Sequence, residues 1–376
     1  MTDRFGNIAI VGIGPVGTGE HGGGIPALVS SLEEMSADNT VTVYSLLRAD
    51  PARTPRCLRV RCLPFRTPFR KLDLLMLSVL VVIDHMKRRF DVLHAIDAFP
   101  AGWICVVLGR VLRVPCLVAL LGEEIAHLPK SEHGNVESSR RGRTAWVCRN
   151  AGMVTLLTEF QAQGLEAFEI RPRRTAIVPL GVSTSRFKCG AKQLGPPFVF
   201  LHVAYAHPVK GMDVLLEVFK IVSSSIDARL VIVGSNHVGG RTESAVDEMG
   251  LSDRVQLVRP VSNQALVDYY DRAHFLLHAS WYESQGVVFN EAMASGVVVC
   301  STNVGLAADL AGQCCVVGAV GQAPDLAEKI LALAGDEHRY LELQSQALAW
   351  SNTHDVVWST NEYRKIYAQL GEGRFV

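Results

Sequence analysis

Short apolar runs, each leading into a glycine-rich or polar loop and then a stretch of helical spacing, recur along this chain and constrain its fold more than any other feature. Residues 7–11, 40–46, 90–94, 114–120 and 154–157 are such runs in the first half; 198–204, 229–233, 255–258, 275–277, 297–300 and 315–317 are their counterparts in the second. They are too short for helices and too continuously apolar for strands with one wet face, so they read as strands buried on both sides. Strands alternating with helices give a parallel α/β architecture. The pattern pauses at 183–197, where Lys192, Gly195, Pro196 and Pro197 break regular structure, and then restarts. A chain of 376 residues also exceeds what one core usually serves. The expectation is two Rossmann-like, doubly wound domains facing across a cleft: residues 1–190, residues 191–350, and a helical tail at 351–376 that can pack back on the first domain. The aromatics Trp350, Trp358, Tyr363 and Tyr367 suit docking of that tail.

Charge excludes one class of partner. Lys plus Arg equals Asp plus Glu at 37 each, so no global field holds nucleic acid, and the trailing aromatics lack the basic interleaving of a strand-binding groove. Nine cysteines make no ligand pattern, and several lie in apolar runs, which implies small buried hydrophobes, no metal and a reducing compartment. The chain enters its first strand without a basic region and an apolar leader-like core, so a cytoplasmic location is expected. Arginines at 53, 56, 59, 61, 66 and 70 precede an apolar stretch at 72–83, and Lys87-Arg88-Arg89 follows it. That stretch is too short to span a bilayer. It reads either as a buried helix with solvated ends or as a surface-lying helix in peripheral contact with anionic lipid at the inner face of a membrane. Oligomeric state is not legible.

The chemistry concentrates at residues 272–296. A strand at 275–277 runs into a polar loop at 280–286, and a helix starts at Val287, with Glu283 and Glu291 on either side of its first turn. A helix N-terminus offers unpaired N–H groups and the positive end of a dipole, which together favour phosphate. Lys210, in a loop after an earlier strand, supplies a cation for a diphosphate. A carboxylate such as Glu291 suits hydroxyls, a ribose diol among them. In the first half, Gly12-Ile13-Gly14-Pro15-Val16-Gly17 invites a dinucleotide fingerprint, but Pro15 and the long interval before the next helix oppose it. Gly22-Gly23-Gly24 instead allows a phosphate or sugar close to the backbone. His94, Asp97, Glu123 and Glu124 fall at or just beyond strand C-terminal ends, where open parallel sheets bind ligands. Residues 129–143 read as a charged loop or lid.

Glu283-Ser-Gln-Gly-Val-Val-Phe-Asn-Glu291, followed by Ala292-Met-Ala-Ser-Gly296, resembles the E-x7-E signature of retaining glycosyltransferases with the GT-B fold, within glycosyltransferase family 4, glycosyl transferases group 1. The likeness extends to the glycines at 22–24, Asp91-Val-Leu-His94, Val178-Pro-Leu-Gly181, Lys210-Gly-Met-Asp-Val-Leu, Val231-Ile-Val-Gly234 and Asn303-Val-Gly305. The resemblance implies a hexosyltransferase that moves sugar from a nucleoside-diphosphate-sugar, UDP- or GDP-linked, to a hydroxyl of a glycan, lipid-linked or small-molecule acceptor, with no cofactor and no metal. It implies catalytic roles for Glu283, Lys210 and His94. It further implies donor binding by Gly23, Gly24, Tyr205, Lys210, Arg259, Ser284, Gln285, Gly286, Val287 and Glu291, with Glu291 on the ribose and Lys210 on the leaving phosphate. Several positions depart from the pattern. Tyr205 stands where the family has an arginine, with Arg259 or His207 as substitute cations; Leu121 and Leu180 replace polar residues, and Ser284-Gln285 replaces a glycine-aromatic pair. A catalytically reduced nucleotide-sugar-binding partner and a phosphorylase-like enzyme are the alternatives on the same scaffold.

Overall fold

The computed structural model describes residues 6–12, 25–46, 54–63, 67–128, 133–134, 138–187, 192 and 194–372. The glycine loop with Gly23 and Gly24 lies outside the described residues. The chain divides into two compact units, Met1–Leu180 with Val356–Val376, and Gly181–Asp355.

In the first unit the strands are β1 (Asn7–Val11), β2 (Thr40–Ser45), β3 (Arg59–Cys62), β4 (Val92–Ala95), β5 (Cys116–Ala119), β6 (His127–Leu128), β7 (His133–Gly134), β8 (Met153–Leu156) and β9 (Thr175–Ile177). Its helices are α1 (Ile25–Ser36), α2 (Arg70–Lys87), α3 (Trp103–Leu112), α4 (Ser138–Asn150) and α5 (Glu159–Ala167). Seven strands form one sheet in the order β3-β2-β1-β4-β5-β8-β9, and β6 pairs with β7 separately. Every pairing in the large sheet is parallel. The central strands β1, β4, β5 and β8 are almost wholly buried, as their unbroken apolar composition requires.

The second unit contains β10 (Phe198–Val203), β11 (Ala228–Val233), β12 (Val255–Val258), β13 (Phe275–His278), β14 (Val298–Thr302) and β15 (Cys315–Gly318). Between and after them run α6 (Met212–Ser225), α7 (Arg241–Glu248), α8 (Asn263–Arg272), α9 (Val287–Ala294), α10 (Gly305–Asp309), α11 (Ala323–Ala334) and α12 (Glu337–Thr353). Its six strands are all parallel, in the order β12-β11-β10-β13-β14-β15. Phe200, Phe219, Phe275 and Tyr340 interlock in the core on one face. A last helix, α13 (Val356–Glu372), returns to the first unit and packs on α1, burying Tyr363, Ile366, Tyr367 and Leu370.

Three sequence expectations need correction. Strand β3 falls inside the basic stretch before residue 71 and has no apolar run to announce it, because Arg59 and Arg61 alternate with Val60 on an edge strand whose outer side needs no apolar cover. The charged segment at 129–143 is not wholly a loop, since α4 starts at Ser138. Helix α7 is not announced: the stretch after the run at 229–233 reads only as a polar loop to about Arg241.

Candidate donor site in the second unit

In the second sheet the strand sequence runs one way from β10 to β11 and β12, and the other way from β13 to β15. Loops leaving the C-terminal ends of β10 and β13 therefore diverge, and a parallel sheet binds ligands at such a reversal. The two loops are stitched together at their bases. The Trp281 backbone N–H donates to Val209 O at 2.8 Å. At Gly211, with φ 57°, a β-carbon would come within 2.2 Å of Ala279 O, so only glycine allows this approach.

This stitching brings Lys210 to Glu283. Lys210 Nζ donates to Glu283 Oε1 at 2.7 Å, with both side chains mostly buried. Ser280 Oγ donates to the same oxygen at 2.7 Å. His278 Nε2 lies 2.9 Å from Glu283 Oε1 and 2.8 Å from Ser280 Oγ. A carboxylate oxygen only accepts, so the imidazole carries its proton on Nε2 and shares it between the two. Burial alone would raise the Glu283 pKa, but the Lys210 charge and the His278 hydrogen bond overcome it and hold the carboxyl well below the usual carboxylate range. Burial also keeps His278 neutral, lowering its pKa against the pull of Glu283. Beneath it His202 stacks on His278 with ring centroids 5.1 Å apart, and burial drives its pKa down too.

The chain then enters α9 through Gly286, whose φ of 78° and ψ of 72° are left-handed. A β-carbon there would meet the Phe289 ring at 2.4 Å. Ser284 and Gln285 are buried, and Gln285 Nε2 donates to Asn290 Oδ1 at 3.2 Å, fixing the loop against the helix it precedes. Glu291 lies on the second turn of α9. Tyr270 of α8, fully buried, donates its hydroxyl to Glu291 Oε2 at 2.8 Å. Burial raises the Glu291 pKa, opposed by the Tyr270 bond and the charge of Arg186.

The structure thus gathers Lys210, Glu283, Ser284, Gln285, Gly286, Val287 and Glu291 along one strand-loop-helix passage and its neighbouring loop. Tyr205 joins them at the margin, half-exposed, with its ring centroid 5.8 Å from Lys210 Nζ. Arg259 stands apart, exposed beyond the end of the edge strand β12, with β11 and β10 between that strand and β13. His207 caps a short turn, its Nδ1 accepting from Val209 N–H at 3.2 Å. Sequence reasoning does not reach Tyr270, His278 or Ser280. Ser280 and His278 carry a weak signal, polar groups at the end of an apolar strand just before Glu283; Tyr270 carries none.

The first unit holds the other polar candidates. His94, on β4, is buried with its Nδ1 2.8 Å from the Tyr367 hydroxyl of α13, and burial lowers its pKa to about 3. Asp97 accepts from Ala101 N–H at 2.9 Å and is pushed by burial up to about 6. Glu124 accepts from Gly122 N–H at 3.0 Å, and burial pushes it up to about 7. The Glu123 side chain lies outside the described residues. Among the described residues no group of three or more His, Cys, Asp or Glu is arranged to hold a metal ion.

Comparison with known proteins follows the same division. The family described as "Glycosyl transferase 4-like domain" matches residues 23–181, and "Glycosyl transferases group 1" matches residues 197–336. D-inositol 3-phosphate glycosyltransferase of Nocardia farcinica is 27% identical over 312 residues, covering 73% of this chain and 67% of that protein. Sucrose-phosphate synthase from Thermosynechococcus elongatus shares the fold with a TM-score of 0.80 at 19% identity, over 97% of this chain and 98% of its own. Anabaena Alr3699/HepE, solved in complex with UDP-glucose, shares it with a TM-score of 0.76 at 18% identity, over 96% and 99%.

Proposed function

We propose that the chain, whose two halves match glycosyl transferase family models and which shares the fold of glycosyltransferases of known structure, transfers a hexose, with retention at the anomeric carbon, from a nucleoside-diphosphate-sugar to a hydroxyl-bearing acceptor. The carrying observation is the contact of Lys210 with Glu283 at 2.7 Å, directly before a helix whose second turn presents Glu291. In this reading the diphosphate lies against the first-turn N–H groups of α9 and takes Lys210 as its counter-charge. Lys210 is held ready by Glu283 until the donor arrives. The leaving phosphate then draws the ammonium, and the Glu283 carboxylate faces positive charge developing on the sugar. Glu291, steadied by Tyr270, accepts from the ribose hydroxyls. Ser280 and His278 fix the Glu283 carboxylate through two donated protons, so it need not reorganise as charge develops.

UDP is the favoured donor base, since a fold relative was solved with UDP-glucose. The acceptor is a hydroxyl of a glycan, a lipid-linked sugar or a small molecule. One observation favours a second reading, a binding partner of reduced activity: Tyr205 stands at the margin of the site in place of a fixed cation. A screen of UDP-, GDP- and TDP-sugars against mixed acceptors separates the two. The transferase reading expects a product whose anomeric proton coupling matches the donor configuration. Binding of a donor with neither transfer nor hydrolysis of any would overturn it.

A further inference from the structure

Helix α2 presents an apolar stripe to solvent. Leu72, Leu75, Val79, Ile83 and Met86 recur at spacings of three and four, so they share one face, and Phe69 continues it at the N-cap; all six side chains are exposed, Met86 to 80% and Phe69 to 68%. The opposite face carries the packing, with Leu77 and Val81 fully buried. A helix of 18 residues that is apolar on both faces and covered on one is incomplete as an isolated surface.

Among the described residues, the exposed charges at the two ends of α2 are cationic. Arg70 and Lys71 open the helix, Lys87, Arg88 and Arg89 close it, and Arg56 and Arg59 lie exposed at and before the edge strand β3. Both acids of α2 turn inward. Asp73 is buried and accepts from Thr67 N–H at 2.9 Å; Asp84 is buried and accepts from the Tyr44 hydroxyl and from Arg61, each at 3.0 Å. The exposed side of α2 therefore holds apolar side chains between cationic ends, with no carboxylate of its own.

We propose that α2 is a membrane-docking element that lies in the plane of an anionic lipid surface, with its stripe in the acyl boundary and its terminal cations on phosphate headgroups. The charge pattern selects this occupant over a second copy of the chain. Antiparallel pairing of two α2 helices would set Arg70 and Lys71 against Lys87, Arg88 and Arg89 with no acid on α2 to compensate. Among the described residues no helix is long and apolar enough to cross a membrane, so the contact is along the surface. The inference rests on α2 and β3 alone and stands apart from the transferase reading.

Flotation of the full chain with vesicles of phosphatidylcholine, with and without phosphatidylglycerol, tests it. The expected result is co-flotation with the anionic vesicles only, reversed by high salt. Replacing Lys87→Gln, Arg88→Gln and Arg89→Gln together should lower partitioning by about two orders of magnitude. Leu75→Glu with Val79→Glu should abolish it while leaving the melting temperature and UDP binding unchanged. Absence of flotation, flotation equal on neutral vesicles, or flotation indifferent to both variants would overturn the proposal. So would a concentration-dependent dimer that the Leu75→Glu, Val79→Glu variant dissociates, because the stripe would then belong to a second copy.

Discussion

Lys210 Nζ stands 2.7 Å from Glu283 Oε1 across the point where the second sheet reverses its strand order, so one ion pair joins the loop after β10 to the loop after β13. Each residue sits on a loop held by close contacts. Gly211 permits the close backbone approach on one side, and Ser280 and His278 clamp the carboxylate on the other.

Removing either partner should therefore act on turnover more than on folding. Lys210→Ala is expected to lower kcat by about a hundredfold to a thousandfold, the usual cost of losing a group that stabilises a leaving anion. Glu283→Gln keeps the shape and loses the charge, and should lower kcat with little change in KM. Steady-state kinetics on the identified donor checks both; a pure KM effect in Glu283→Gln would remove that residue from the chemistry.

His278 and Ser280 position Glu283 through its Oε1. Ser280→Ala removes one of three donors to Oε1 and should cost kcat about three- to tenfold, in keeping with a single net hydrogen bond of about 1 kcal/mol. KM for the donor should stay within a factor of two or so. A larger loss in KM than in kcat would instead place Ser280 against the donor itself.

The Tyr270 to Glu291 bond links α8 to α9 and predicts a binding phenotype. Tyr270→Phe leaves the ring packing, including its edge contact with Phe187, and deletes only the hydroxyl. Nucleotide affinity measured by calorimetry should fall about three- to tenfold. Glu291→Ala should weaken it further, and the two losses should not add, because both act through one carboxylate. Additive losses would separate Tyr270 from Glu291.

Much of the fold, and the stretch that carries the candidate site, is legible in the amino-acid sequence. The parallel strands announce themselves because both faces are buried and nearly every residue is apolar, and the passage from β13 through Gly286 into α9 carries its own punctuation. What escapes depends on tertiary placement. Tyr270 lies on a different helix from Glu291, with β13 between them in the chain, and meets it only through the tertiary fold. His94 reads as a strand-end ligand, whereas its Nδ1 pairs with Tyr367, far along the chain in α13. Strand β3 hides behind its arginines. The stripe of α2 cannot be told from core, since apolar spacing names a face but not what covers it.

Buried histidines weaken the fold in acid. His94, His202, His237 and His278 all have folded pKa values lowered from the ordinary histidine value of 6.5, with burial as the main cause. Below that value the unfolded chain takes up protons that the folded chain refuses, so the histidine contribution is complete above it and falls as pH falls, while Asp97, Glu124 and Glu291, raised by burial, contribute in the opposite sense. Each such histidine contributes a slope of about 1.4 kcal/mol per pH unit. Glu283, also depressed, adds its loss only below its ordinary value of 4.5. In thermal melts from pH 7.5 to 5, His278→Asn should lose less melting temperature on acidification than the parent, whose other titrating groups are unchanged; identical pH profiles for parent and variant would mean the His278 ring is not held neutral.

The contact of His94 with Tyr367 predicts a structural effect. Tyr367→Phe strands the imidazole Nδ1 in the core and should destabilise the first unit by about 1–3 kcal/mol. Denaturant unfolding measures this directly. A variant of unchanged stability and reduced turnover would assign the His94–Tyr367 contact to the reaction rather than to folding.

The most direct test of the donor assignment is a crystal structure of the chain with the nucleoside diphosphate it binds. The account predicts a phosphate oxygen within hydrogen-bond distance of Lys210 Nζ, the diphosphate against the first turn of α9, and both ribose hydroxyls on the Glu291 carboxylate. A nucleotide bound away from the β10–β13 reversal, or one whose ribose leaves Glu291 paired only with Tyr270, would contradict it.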